Sequence, residues 1–185
     1  MTFNRNQTVT AHYVLVTLLA VIVSFLLHEF LHWLTGQALG YHMVMTLNKA
    51  YPGSLSYTQG WHYPFISAVG PLVTLVQALT VFLLLQKTSN KYLYPFLFAA
   101  FYLELLSGVM NIRHPNDLGR IGQTLGLGLF VLPIVFVAIH FFMVRRASLV
   151  QGYSSKFIWL TLMLVLFFSS IWILANQRFH VVLLG

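Results

Sequence analysis

A chain of 185 residues that is 58% hydrophobic and only 7% charged does not have water as its main solvent, because an average soluble domain carries roughly four times that charged fraction. Its formal charge of +7 rests on ten Lys and Arg scattered in ones and twos, with no stripe or run that would grip nucleic acid, so anionic lipid headgroups are the expected partner. Cysteine is absent, which excludes disulfides, thiolate metal sites and cysteine nucleophiles together.

Crossing about 30 Å of hydrocarbon takes roughly 20 apolar residues, and five segments qualify, at about 11–35, 62–86, 92–110, 121–144 and 157–176. All ten Lys and Arg fall between these segments or at their ends, as expected when one such residue at the centre of a span costs about 2.5–3.5 kcal/mol. The prediction is an all-α polytopic membrane protein, one integral domain over 1–185 with no room for a separate soluble module. The first span is too long for a cleaved signal peptide and is expected to remain. It ends in His28-Glu29-Phe30-Leu31-His32. In the connection that follows, Met43, Met45 and Leu47 alternate with Val44 and Thr46, Tyr51-Pro52-Gly53-Ser54 reads as a turn, and Leu55-Ser56-Tyr57-Thr58 reads as a returning strand. That pattern predicts a short β-hairpin, or else an irregular loop, at the membrane surface.

The second span carries Gly70-Pro71 near its middle, where proline kinks a helix either for packing or to shape a site. Residues 87–91 form a tight polar hairpin into the third span, which ends in the segment Gly108 to Arg120. Gly122, Gly126 and Gly128 begin the fourth span, where small residues let membrane helices approach closely. Counting Lys and Arg by side gives six with the N-terminus against four on the opposite side, which favours an inside N-terminus.

Chemistry concentrates in few residues. The chain has three acids, Glu29, Glu104 and Asp117, and an acid in or beside a span requires a reason. On a helix His28 and His32 share one face a turn apart, so both imidazoles reach one metal ion while Glu29 stands beside it. Chance would produce this HExxH spacing in a chain of this composition with an expected count of about 0.004. The competing explanation is a hydrogen-bonded polar cluster that glues helices together. A catalytic zinc takes three protein ligands and keeps one position for water, so a third ligand must come from Asp117, Glu104, His62 or His114. The spans alternate in direction, which brings Asp117 level with the two histidines. Glu104 lies about two turns deeper, some 10 Å from Asn111, and suits a structural carboxyl better. His62, between Trp61 and Tyr63, reads as part of an interfacial aromatic belt. His12, His42, His140 and His180 have no motif partner and read as interfacial or packing residues.

HEFLH on a transmembrane helix, Gly-Pro in the next span and Asn-x-x-x-Pro-x-Asp at the end of the third together resemble the site-2 protease family of intramembrane zinc metalloproteases, in a compact form without a PDZ domain. The likeness covers about residues 11–120, and the helices of about 121–176 would be accessory. Where the family has Leu-Asp-Gly, this chain reads Asn116-Asp117-Leu118-Gly119. The resemblance implies Zn2+ bound by His28, His32 and Asp117, Glu29 as catalytic base, and Asn111 as a residue that helps hold substrate. It further implies a transmembrane segment of another membrane protein as substrate, and a site nearer the cytoplasm than the charge count suggests.

The expected chemistry is hydrolysis by metal-activated water, with Asn111 and His114 as candidate donors to the oxyanion, or else Asn111 as a helix cap. The hairpin is expected to offer an edge strand to an unwound substrate. The expected location is the cell membrane of a prokaryote, as a multi-pass protein; a regulatory membrane partner is left open. Di-iron hydroxylases use similar histidine spacing but need several clusters. A non-catalytic metal-binding or transport protein is the main alternative, yet an ion path should spread polar groups over several spans, and the second, fourth and fifth contain no Asp, Glu, Lys or Arg.

Overall fold

A computed structural model describes residues 7–53 and 57–185. Helix α1 (Ala11–Ala38) opens on Thr10, whose hydroxyl accepts from the Tyr13 amide at 3.3 Å, supplying one partner to the unpaired first-turn amides. Two short antiparallel strands follow, β1 (Met43–Thr46) and β2 (Ala50–Pro52). Then come α2 (His62–Lys87), a short 3-10 turn (Lys91–Leu93), α3 (Tyr94–Met110), the eight-residue α4 (Asp117–Thr124), α5 (Val131–Gln151), α6 (Ser155–Phe179) and a last strand β3 (Val182–Leu184). Five of these helical segments are long and apolar enough to cross a membrane, and the molecule is a multi-pass, all-helical membrane protein with one small sheet.

The predicted spans and the observed helices agree to within a few residues except in the fourth. That helix starts at Val131 rather than 121, because Gly126 and Gly128 adopt φ of 72° and 83°, left-handed values that end a helix. Gly126 and Gly128 therefore make a turn, while Gly122 permits the close approach expected of it, lying in α4 where a Cβ would run into the Gly128 carbonyl; α4 straddles the anticipated boundary near 120.

The hairpin is present but shifted. Met43 faces Pro52, Val44 faces Tyr51 and Met45 faces Ala50, so the turn falls at Leu47–Lys49, closed by the Thr46 amide donating to the Lys49 carbonyl at 2.8 Å. Tyr51 and Pro52, expected in the turn, belong to the returning strand, and Pro52 is tolerated because β2 lies at the sheet edge. Of the expected return strand, Leu55 and Ser56 lie outside the described residues, while Tyr57 and Thr58 lead into α2 without strand structure. Met43, Met45 and Leu47 point inward as their alternation suggested. Strand β3 completes the order β2-β1-β3, bringing the end of α6 beside the end of α1.

The core gathers at the opposite end of the bundle. Tyr13, Tyr94, Tyr153 and Phe157 interlock with ring centroids 4.7 to 6.0 Å apart. The hydroxyls of Tyr13 and Tyr94 are kept paired in the low-dielectric interior, Tyr13 with Thr161 at 2.8 Å and Tyr94 with Ser148 at 2.7 Å. Gln77 ties three helices by donating to the Ser24 hydroxyl at 2.7 Å and the Phe96 carbonyl at 3.1 Å, the kind of interhelical polar contact worth about 0.6 kcal/mol each in a bilayer. Large apolar side chains such as Leu15, Leu72, Val76, Ile134 and Phe167 face outward, where lipid replaces water as their solvent.

With helices alternating in direction, the sheet, α4 and the α6 C-terminus share one membrane face. Because the chain has no cysteine, single cysteines replacing Lys49, His114 and Arg178 are expected to react with an impermeant maleimide from one side of sealed vesicles, and those replacing Lys87 and Lys156 only from the other. Reaction of the Lys49 and Lys87 replacements from the same side would contradict the topology.

Candidate metal centre

Residues 28 to 32 occupy the part of α1 about 26 Å from its start, close to the sheet end of the bundle. His28 and His32 are both buried, one turn apart on the face turned to α2, and their Nε2 atoms lie 3.1 Å from each other. Helix α2 supplies the counter-face through positions 66, 70 and 74, which share one stripe at four-residue spacing. The Ile66 carbonyl lies 2.6 Å from His32 Nδ1, and since a carbonyl only accepts, Nδ1 must donate. The Thr74 hydroxyl spends its proton on the Gly70 carbonyl at 3.0 Å, so it accepts from His28 Nδ1 at 2.9 Å. Both neutral imidazoles are thereby set in the tautomer with hydrogen on Nδ1 and a lone pair on Nε2, the arrangement that metal-ligating histidines adopt.

Asp117 enters from α4. Its Oδ2 lies 3.4 Å from His28 Nε2 and 3.6 Å from His32 Nε2, which closes a triangle with sides of 3.1, 3.4 and 3.6 Å. Ligands about 2.0–2.1 Å from a tetrahedral zinc stand about 3.3 Å apart. The donor set and its spacing therefore fit that ion without rearrangement. Gly70 keeps the space open: a Cβ at this position would run into Nε2 of both His28 and His32. Helix α2 runs on through Pro71, and it is the missing side chain of Gly70 that leaves room for the two imidazoles.

Glu29, half-buried on the adjoining face, is turned toward the Ala50 backbone amide of β2 and is close enough to feel the charges of His28, His32 and Asp117. Burial raises the Asp117 carboxyl, but with the two imidazoles protonated and no ion among them, the charge of His32 and His28 and their hydrogen bonds outweigh it and hold the group well below the usual carboxylate range.

The remaining candidates fall elsewhere. Glu104 is buried on α3 with no hydrogen-bond partner for either oxygen among the described residues, outside the group of His28, His32 and Asp117, as expected of a structural carboxyl rather than a ligand. His62 is buried with Nδ1 2.6 Å from the Tyr41 hydroxyl, and His114 stands exposed on the loop between α3 and α4. Asn111 is buried, and its amide is fully used: Nδ2 donates to the carbonyls of Ser107 at 3.0 Å and Gly108 at 3.3 Å, while Oδ1 accepts from the Asn116 amide at 2.7 Å. In this arrangement neither Nδ2 hydrogen is left for an oxyanion, and the residue clamps the loop that delivers Asp117. Asn116 strengthens the clamp by donating to the Ser107 hydroxyl at 3.1 Å. Among the other histidines, His140 is fully buried and donates from Nδ1 to the Phe136 carbonyl at 2.8 Å, a packing role.

Sequence reasoning did not find Thr74 or Ile66, whereas the helix-cap alternative for Asn111 is met: it is the C-cap of α3. The four-residue repeat of 66, 70 and 74 opposite the histidines was an available signal, though the Ile66 partner is a carbonyl that no side-chain identity reports. Compared with known protein families, curated protein sequences and solved structures, the chain matches none.

Gly70→Ala is expected to abolish high-affinity zinc binding while leaving helix content unchanged, because alanine improves helix propensity by about 1 kcal/mol but fills the space before the imidazoles. Isothermal titration with zinc alongside circular dichroism checks this; a variant that binds zinc like the parent would contradict it.

Proposed function

We propose that the chain is a zinc-dependent intramembrane endopeptidase, similar to the site-2 proteases, acting in the cell membrane of a prokaryote on transmembrane or membrane-proximal segments of other proteins. The observation that carries the reading is the convergence of two Nε2 lone pairs and one carboxylate oxygen on a single point beside Glu29. Three acceptors facing one another repel unless a cation lies among them. A proton can bridge two of them and leaves the third facing a lone pair; a divalent ion satisfies all three.

Zinc held by His28, His32 and Asp117 would supply Lewis acidity, lowering the pKa of water from 15.7 to about 7 and polarising a peptide carbonyl. Glu29 accepts the proton that the attacking water releases and returns it to the amide nitrogen as the carbon–nitrogen bond breaks. Thr74 and Ile66 hold the imidazoles in register, and the Asn111 clamp holds Asp117. A helical substrate exposes no scissile bond until it unwinds, because its backbone groups are already paired within the helix. The outer edge of β2 carries no further strand among the described residues, and Ala50 on that strand lies against Glu29. An unwound segment laid along β2 would therefore pass directly before the base.

Purified protein, Glu29→Gln and Asp117→Ala are to be compared for bound zinc and for cleavage of a synthetic transmembrane peptide. Glu29→Gln is expected to keep zinc and lose at least 100-fold in turnover, in line with the roughly 10²–10⁴-fold worth of a positioned general base; Asp117→Ala is expected to lose both. Full turnover by Glu29→Gln would remove the assigned base, and full zinc occupancy in Asp117→Ala would remove the assigned ligand.

A further inference from the structure

Asp117 has two oxygens, and the structure treats them differently. Oδ2 faces the histidine pair, whereas Oδ1 lies 3.5 Å from Nη1 of Arg120, one turn further along α4. The Arg120 guanidinium does not hang free in solvent. Its central carbon sits 4.9 Å from the centroid of the Tyr63 ring in the first turn of α2, and Tyr63 in turn packs against Tyr57 with centroids 5.0 Å apart. Burial and this neighbouring ring push the Tyr57 phenol up to about 12, so the aromatic shelf stays uncharged. A planar cation is thus held between an aromatic face and one carboxylate oxygen, the contact geometry at which arginine exceeds lysine.

The asymmetry matters for a site of three ligands. A carboxylate can give a metal one oxygen or two, and a second oxygen would take the coordination position that a catalytic zinc site keeps open. We propose that Arg120 is a positioning residue that makes Asp117 a one-oxygen ligand, and that Tyr63 holds Arg120 in the place from which it does so. Arg120 touches neither the ion nor the substrate in this role; it acts by engaging Oδ1. The inference rests on the zinc-site reading above and adds to it the residue pair that preserves the open position.

The test uses cobalt(II) in place of zinc on the purified full-length chain, with Arg120→Gln, Arg120→Lys and Tyr63→Leu beside the parent. Stoichiometry, affinity by competition with a chromophoric chelator, and the visible absorption of the bound cobalt are measured. The parent is expected to bind one cobalt per chain with the intense bands of a four-coordinate ion. Arg120→Gln is expected to bind about 10–100-fold more weakly, the usual effect of losing a ligand's outer partner, with weaker bands as the coordination number rises. Arg120→Lys keeps the charge without the planar fork and should fall between the two. Tyr63→Leu, which leaves both members of the ion pair in place, should move affinity and spectrum the same way by a smaller amount. Parent-like spectra and affinities in Arg120→Gln and Tyr63→Leu would overturn the clamp and leave the zinc reading standing. A parent that binds no cobalt would overturn both.

Discussion

Three electron-pair donors pointed at one another in a low-dielectric interior form the constraint around which this molecule is arranged. His28 and His32 lie with their Nε2 atoms 3.1 Å apart, and each has its other ring nitrogen committed to α2. Rotating either ring away would leave an imidazole N–H or the Ile66 carbonyl unpaired inside the bundle, which costs on the order of 1–3 kcal/mol per group. The lone pairs are therefore held face to face by the hydrogen bonds behind them. On the zinc reading, the attraction of the ion for its ligands offsets the repulsion that the scaffold builds in.

The rest of the fold can be understood as support for that arrangement. The apolar and aromatic core lies at the other end of the bundle, formed by α1, α2, α3, α5 and α6, so the site end is free to be polar. Helix α2 presents no side chain at residue 70, where one would collide with the imidazoles. The loop from Asn111 to Asn116 is stapled to the end of α3, which fixes the start of α4 and with it Asp117. Beside the cluster, the sheet is tied to α1 by Trp33 donating to the Met43 carbonyl at 3.1 Å. It is tied to α6 by Trp172 donating to the Leu47 carbonyl at 2.8 Å. Asn176 reinforces this second tie through the Leu47 amide and the Asn48 side chain.

Some of this was legible in the residues and some was not, for physical reasons. Hydropathy locates spans because the bilayer sets one length for all of them, and four of five helices fall where it places them. The fourth does not, because Gly126 and Gly128 read equally as small packing residues or as turn formers until their φ angles are known. The histidine spacing carries its geometry within one helix and needs no other information. Asp117 needed only the alternating direction of the spans to be placed nearby. Asn111 and His114 were drawn toward the site by their closeness to Asp117 in sequence. The amide of Asn111 instead meets carbonyls of its own helix end, a choice made by loop geometry. Strand β3 was invisible because three apolar residues after a long apolar helix read as its tail, and their partner β1 lies more than 130 positions earlier.

The most direct measurement is the zinc K-edge X-ray absorption of the purified protein in detergent or nanodiscs. The expected first shell consists of nitrogen and oxygen at about 2.0–2.1 Å, with the outer-shell scattering of two imidazoles and a signal that disappears in His28→Ala. A protein that purifies without stoichiometric metal under zinc-replete conditions, or whose metal shell contains no imidazole, would contradict the existence of the centre.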